Sequence, residues 1–104
     1  MAGTKRQRSE NTTTVVADKV ETPRLFKVIF YNDDFTTMEF VIEVLMEHFH
    51  HPLPVARQIT TKVHREGSGV AGIFTRDIAE SKATRTREVA RRFRFPLRVE
   101  VEVD

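Results

Sequence analysis

Cysteine is absent from the 104 residues of the chain. Its absence excludes a disulfide framework, a thiolate metal site and a cysteine nucleophile, and it fits a location in the cytoplasm. Long apolar runs are also absent: no stretch approaches the roughly 18 residues of a membrane-spanning helix, and the first residues lack the apolar segment of a secretory signal. The sequence therefore predicts a cytoplasmic protein without a membrane segment, a disulfide bond or a cofactor.

Length and charge restrict the class of protein further. A chain of this length forms at most one small domain, which leaves little room for both a catalytic scaffold and a substrate domain. Residues 1–24 are polar and rich in threonine, so they are predicted to form a flexible N-terminal tail ahead of a compact domain over residues 25–104. The net charge is only +2, but residues 78–98 contain seven basic and two acidic residues.

Apolar patterning predicts two strands and two helices in the first part of the domain. β-Branched and aromatic residues predict a strand over residues 25–32. Thr36 and Glu39 have the spacing of a capping box, which predicts that a helix begins at Thr36. Prolines then separate this helix from a second one, which should end before Gly67 and be followed by a strand over residues 69–75.

A third helix and a third strand complete the predicted fold. Asp77 is expected to cap the helix, and Pro96 follows its end. One side of this helix is predicted to carry Ile78, Lys82, Thr86, Val89, Ala90 and Phe93. The final strand alternates charged residues with the apolar residues Leu97, Val99, Val101 and Val103. The order β-α-α-β-α-β predicts an α+β domain, in which three helices pack on one face of a three-stranded sheet.

The histidine and arginine clusters each have a functional and a structural interpretation. His48 and His51 could share a helix face and a metal ion, but Pro52 directly after them disrupts that face, so no metal site is predicted. Five arginines could bind phosphate groups or form a solvated helix exterior, namely Arg85, Arg87, Arg91, Arg92 and Arg94. A small basic RNA- or ribosome-associated binding domain is therefore one alternative for the function.

Polar residues follow the first strand in the segment Asn32–Thr36. Asn and Asp are common turn formers there, and an acid near His64 could also suggest acid–base catalysis. No nucleophile elbow or phosphate loop accompanies them, so an enzyme is not predicted. A carboxylate, an amide carbonyl and a neutral imidazole all accept hydrogen bonds, whereas an ammonium group has three donors. If the fold brings Asn32, Asp33 and His64 together, they form a site for a free amine.

The segment Tyr31–Leu45, YNDDFTTMEFVIEVL, resembles the signature of ClpS, the bacterial family of N-degron adaptors of the Clp protease. Shorter stretches with the same resemblance are Val63–His64, Gly72–Thr75, Ile78–Lys82 and Pro96–Leu97. The resemblance implies a non-enzymatic adaptor that binds substrates beginning with Phe, Tyr, Trp or Leu. It would deliver them to an AAA+ unfoldase, ClpA or ClpC. Nothing in the sequence demands more than a monomer, and no contact with nucleic acid or with a membrane is expected.

The resemblance also implies roles for individual residues. Hydrogen bonds to the α-amino group of the substrate would come from Asn32, Asp33 and His64. The side-chain pocket and its mouth would be built by Asp34, Thr36, Met38, Val41 and Leu97. The surface that docks the N-terminal domain of the unfoldase would contain Lys82, with Asp77 and Glu80 near it.

Two residues depart from the pattern of the family. Thr37 stands where proline is frequent, and either residue suits the start of a helix. Thr60 stands where members usually place a bulky methionine against the pocket, so a wider or altered pocket wall is expected here. We therefore predict that the protein tolerates Ile or Val as the first substrate residue better than a typical member does.

Overall fold

The computed structural model describes residues 22–104, and three strands and three helices follow one another along them. The elements are β1 Leu25–Tyr31, α1 Met38–Glu47, α2 Leu53–Glu66, β2 Ser68–Thr75, α3 Arg76–Arg92 and β3 Arg98–Val103. Their order and the α+β fold class agree with the prediction from the sequence. The predicted flexible tail over residues 1–24 lies almost wholly outside the described residues and stays a prediction.

The sheet is antiparallel with the strand order β2-β1-β3, so the first strand of the chain is the central one. Val28 and Phe30 on β1 are completely buried, as expected for a strand rich in β-branched and aromatic residues. The β1–β2 register shifts between Val28 and Ile29, which leaves Ala71 as the extra residue of a bulge. The Nε2 atom of His51 donates to the carbonyl oxygen of Ala71 over 2.6 Å, so the connection between α1 and α2 satisfies this buried group.

All three helices contribute to one hydrophobic core against the sheet. The buried residues of α1 are Phe40, Val41, Val44 and Leu45. In α3, the buried face is built mainly from alanines, and small residues let this helix lie close to all three strands. The helices α1 and α2 pack against each other, and α2 also contacts β2. Burial of each large apolar side chain contributes about 1.5–3 kcal/mol to folding.

The N-cap of α1 lies one residue later in the chain than predicted. The N-cap is Thr37, whose hydroxyl oxygen accepts a hydrogen bond from the backbone N–H of Phe40 over 3.2 Å. The predicted cap, Thr36, uses its hydroxyl as a donor to Asp33 Oδ2 over 2.7 Å. The capping box of Thr36 with Glu39 is therefore wrong, because the carboxylate of Asp33 engages the first of two adjacent threonines.

The start of α3 also differs from the prediction. Asp77 was expected as its cap, but the N-cap is Thr75, which makes no side-chain capping bond. Thr75 is also the last residue of β2, so the strand continues into the helix without a loop. Asp77 instead lies in the first turn, where its negative charge is favourable to the helix dipole.

The buried side of α3 was predicted only in part. Ile78 and Phe93 are 49% and 56% exposed, although their spacing suggested burial. Ala79 and Ala83 are completely buried in their place. A pattern based on large apolar residues misses a helix face that approaches a sheet through alanines.

Candidate functional site

A pocket of about 250 Å³ lies between the β1–α1 loop, α2 and the segment before β3. Its lining residues are Tyr31, Asn32, Asp33, Asp34, Thr36, Met38, Val41, Thr60, Val63, His64 and Leu97. The nine residues that the sequence analysis associated with substrate binding are all among them. Tyr31 and Val63 were missed, although each directly precedes a residue that was named, and that adjacency was the available signal.

Asp33 organises the loop between β1 and α1. Its Oδ1 atom accepts hydrogen bonds from the backbone N–H groups of Phe35 over 2.8 Å and Thr36 over 2.7 Å. Its Oδ2 atom accepts one from the Thr36 hydroxyl. A carboxylate offers about four lone-pair sites. Because three are in use, one site on Oδ2 remains for a further donor.

The loop keeps Asp33 ionised. Burial raises the pKa of its carboxyl group, but the hydrogen bonds from Thr36 and Phe35 and the positive charge of Arg91 lower it by more. The pKa of Asp33 therefore lies below its ordinary value. At neutral pH the pocket thus contains a negative charge with a free acceptor site, which suits a cation that can donate hydrogen bonds.

The C-terminal end of α2 forms the opposite side of the polar region. The backbone N–H of Asn32 donates to the carbonyl oxygen of Gly67 over 2.9 Å, which ties the β1–α1 loop to the end of this helix. Gly67 has a left-handed φ of 95° and closes the helix through a bond from its N–H to Val63 O. His64 lies in the last turn. A helix C-terminus carries a partial negative charge, which also favours a cation here.

Apolar side chains form the rest of the pocket. Val41, Val63 and Leu97 are buried, whereas Met38 is 40% exposed. Thr60 is buried as well, and its hydroxyl donates to Ala56 O within α2 over 2.8 Å. This bond satisfies the only polar atom of the Thr60 side chain. Thr60 therefore contributes a small side chain to the pocket wall and leaves no donor unsatisfied. The pocket therefore combines hydrogen-bond acceptors with an apolar interior.

The three residues associated with docking lie on α3. Asp77 and Lys82 line a shallow groove together with His48, Ile78, Ser81 and Arg85. Glu80 lies outside this groove and lines a neighbouring one on the same helix. Lys82 also has a structural role, because its Nζ atom donates to His48 O at the end of α1 over 2.6 Å. Its ammonium group lies 5.7 Å and 5.6 Å from the ring centroids of Phe49 and Phe74.

Two of the five arginines considered for phosphate binding are hydrogen-bonded within the domain. Arg87 donates twice to Val99 O, through Nε over 3.0 Å and through Nη2 over 2.6 Å. Arg91 donates through Nη1 to Phe95 O over 2.8 Å and to Leu97 O over 3.2 Å. These bonds anchor β3 and the segment before it, which gives both arginines a structural role within the domain.

Over residues 22–104, no group of three histidine, aspartate or glutamate side chains is arranged to hold a metal ion. No helix among the described residues combines the length and the apolar character needed to span a membrane.

Comparison with known proteins identifies the family to which the chain belongs. A family model described as "ATP-dependent Clp protease adaptor protein ClpS" matches residues 21–100. The ClpS adapter protein of Campylobacter jejuni strain RM1221 is 45% identical over 91 residues, which are 88% of this chain and 95% of that protein. The ClpS of Leptothrix cholodnii is 45% identical over 93 residues, covering 86% of this chain and 81% of its own.

A solved structure supports the same assignment. Agrobacterium tumefaciens ClpS2 bound to L-phenylalaninamide matches with a TM-score of 0.76 and 37% sequence identity, covering 80% of this chain and all of that one. The protein is thus a member of a class of protease adaptors rather than of an enzyme family. It belongs to the ClpS family of Clp protease adaptors, which confirms the resemblance stated from the sequence.

Proposed function

We propose that this protein binds the free α-amino group and the bulky hydrophobic first residue of substrate proteins and delivers them to a Clp AAA+ unfoldase. The observation that carries this proposal is one pocket that combines Asn32, Asp33 and His64 with an apolar interior. The ligand of the related ClpS2, L-phenylalaninamide, has both a free α-amine and an aromatic side chain. The expected first residues are Phe, Tyr, Trp and Leu.

The proposed amine site uses the three donors of an ammonium group. The acceptors are the free lone pair of Asp33 Oδ2, the side-chain carbonyl oxygen of Asn32 and the unprotonated ring nitrogen of a neutral His64. Each hydrogen bond to a charged group contributes about 1.5–3 kcal/mol. Acetylation of the amine removes its charge and two of its donors, so that acceptors in the pocket are left without partners.

The proposed side-chain site uses the apolar part of the same pocket. Val41, Thr60 and Leu97 would form its walls, and Asp34, Thr36 and Met38 would lie at its mouth. Transfer of one aromatic side chain into this site contributes about 1.5–3 kcal/mol. The free energy from burying the side chain, added to that from the hydrogen bonds of the amine, exceeds association costs of several kcal/mol by a modest margin. Moderate affinity suits an adaptor that must release its substrate to another protein.

The binding experiment uses short labelled peptides that differ only in the first residue, with fluorescence anisotropy as the readout. Phe, Met and Ala are compared with N-acetylated Phe. We expect tight binding of the free-amine Phe peptide, weak binding of the Met and Ala peptides, and loss of binding on acetylation. Equal affinities for all four peptides would contradict the proposal, and titration with RNA would then test the remaining basic surface.

Delivery is proposed to use the surface of α3 that contains Asp77, Glu80 and Lys82. Replacement of Lys82 would be ambiguous, because the side chain also bonds to His48 O at the end of α1. The double variant Asp77→Asn/Glu80→Gln is sharper, because both side chains are exposed. Glu43→Gln, also exposed but on α1, is the matched control.

The docking measurement titrates each variant with the isolated N-terminal domain of ClpA or of ClpC. We expect the double variant to bind at least one of these domains about fivefold or more weakly, the effect of about 1 kcal/mol. The control should bind like the unchanged protein, and all variants should retain the affinity for a Phe peptide. Unchanged docking of the double variant would exclude this surface.

A further inference from the structure

The segment between α3 and β3 connects the helix to the apolar wall of the pocket. Arg94 adopts a left-handed φ of 66°, and the backbone N–H of Phe95 donates to Ala90 O over 2.8 Å, which closes the helix end. Leu97, three residues after Arg94, is 1% exposed and lines the pocket. The position of this wall therefore depends on a short stretch without regular secondary structure.

Arg91 holds this stretch from the last turn of α3. One of its terminal nitrogens donates both to Phe95 O and to Leu97 O, the carbonyl groups on either side of Pro96. A planar guanidinium group is suited to bridging two acceptors, whereas a lysine ammonium group is a single point of charge. The charge of Arg91 also contributes, as the smallest of the causes, to the lowered pKa of the Asp33 carboxyl group.

We propose that Arg91 is a positioning residue of the pocket, which holds Leu97 in the apolar wall through two backbone carbonyl groups. This inference rests on the proposed function, because Leu97 is assigned to the wall of the substrate side-chain site. Arg91 itself touches no substrate. It acts on the site through Leu97, and its charge contributes to keeping Asp33 ionised.

Three variants separate these contributions. Arg91→Met removes both the charge and the bonds to Phe95 and Leu97. Arg91→Lys retains the charge but replaces the planar guanidinium with a single ammonium group. Arg92→Met is the matched control, because it removes an exposed arginine from the adjacent position of the same helix.

Affinity for the free-amine Phe peptide is the first readout. We expect Arg91→Met to bind about tenfold or more weakly, which corresponds to the loss of about 1.4 kcal/mol. Arg91→Lys should lie between Arg91→Met and the unchanged protein, and Arg92→Met should stay within about twofold of the unchanged protein, as expected for a surface substitution.

Nuclear magnetic resonance supplies a readout that a purely structural role would not move. The titration of the Asp33 carboxyl carbon should shift to higher pH in Arg91→Met but not in Arg91→Lys or Arg92→Met. The methyl resonances of Leu97 should shift in both Arg91 variants. The other titratable groups that line the pocket, Tyr31, Asp34 and His64, are followed in the same spectra, so that their ionisation is not mistaken for that of Asp33.

The proposal is overturned if Arg91→Met binds the Phe peptide as tightly as Arg92→Met, or if the Leu97 methyl resonances are the same in these two variants. If Arg91→Met does not fold, Arg91→Lys decides the question, and affinity equal to that of the unchanged protein overturns the proposal. Failure of the unchanged protein to bind the peptide would contradict the proposed function instead. The Asp33 and Leu97 resonances of the free protein would then still test the role of Arg91.

Discussion

Asp33 links the stability of the β1–α1 loop to pH. The hydrogen bonds from Thr36 and Phe35 and the charge of Arg91 lower its pKa below the ordinary value of 3.8, despite the opposing effect of burial. A carboxyl group whose pKa is lowered by folding stabilises the folded state fully above its unfolded-state pKa. This stabilisation is lost as the pH falls through the pKa of the folded state.

We predict that Asp33→Asn lowers the free energy of unfolding at pH 7 by about 1 kcal/mol, the net contribution of one hydrogen bond. The difference from the unchanged protein should shrink as the pH falls below 3.8. Urea unfolding at a series of pH values measures this. Asp34→Asn is the control, because its exposed side chain should change stability by less than about 0.5 kcal/mol. A pH-independent difference for Asp33→Asn would contradict the prediction.

The side chain of Thr60 is predicted to influence which first substrate residues the pocket accepts. Its short side chain forms part of the pocket wall, and its hydroxyl is satisfied by Ala56 O. We predict that Thr60→Met narrows the site and weakens binding of Ile- and Val-first peptides relative to the Phe-first peptide. The expected change in this ratio is about tenfold, the lower end of the effect of one methylene in an apolar pocket.

Fluorescence anisotropy with peptides that begin with Phe, Ile or Val measures this ratio, and Thr60→Val is the matched control. Valine keeps the shape of threonine and removes only the hydroxyl, which bonds within α2 rather than facing a ligand. Its ratio of Phe to Ile affinity should equal that of the unchanged protein. If Thr60→Met also leaves the ratio of Phe to Ile affinity unchanged, Thr60 does not determine the preference of the pocket between these first residues.

The end of α2 is the element on which the polar part of the pocket depends. Gly67 closes the helix with a φ of 95°, and an added Cβ atom would meet no heavy atom within 4 Å. The cost of Gly67→Ala is therefore one of backbone conformation, about 1–2 kcal/mol. Because Gly67 O accepts the N–H of Asn32, the same change should weaken binding of the Phe peptide.

Chemical denaturation and amide exchange of the Asn32 N–H test this prediction. Gly67→Asn is the control, because asparagine enters the left-handed region more readily than alanine, so its stability should lie closer to that of the unchanged protein. An alanine variant as stable as the unchanged protein, with unchanged exchange at Asn32, would show that this helix end does not hold the loop.

The order of elements was predictable from the sequence, but the N-caps of α1 and α3 were not. Period-two and helical patterns identify all six elements because most carry a clear apolar face. The helix starts depend on which side chain reaches which backbone group. Thr36 and Thr37 are equivalent as sequence, and only the bond from Thr36 to Asp33 distinguishes them. At α3, the continuous transition from β2 leaves Asp77 without a capping role.

At the scale of the whole molecule, the pocket exists only after folding. Its residues come from the β1–α1 region, from α2 and from the segment before β3, and no periodicity in the sequence connects these three. Asn32, Asp33 and His64 were named first from their acceptor chemistry, and the other six predicted residues were named through resemblance to a family. Strand pairing was not predicted at all. Val63 was missed because a buried helix residue carries the same pattern whether it contacts only the core or also a pocket.

The most direct test of the central claim is the location of amine binding by residue. Protein labelled with ¹⁵N is titrated with L-phenylalaninamide and, separately, with its N-acetylated form, and the amide resonances are followed. We predict that only the free amine shifts resonances at residues 32–36 and 63–67. Equal shifts with both compounds, or shifts confined to the arginine-rich face of α3, would contradict the account.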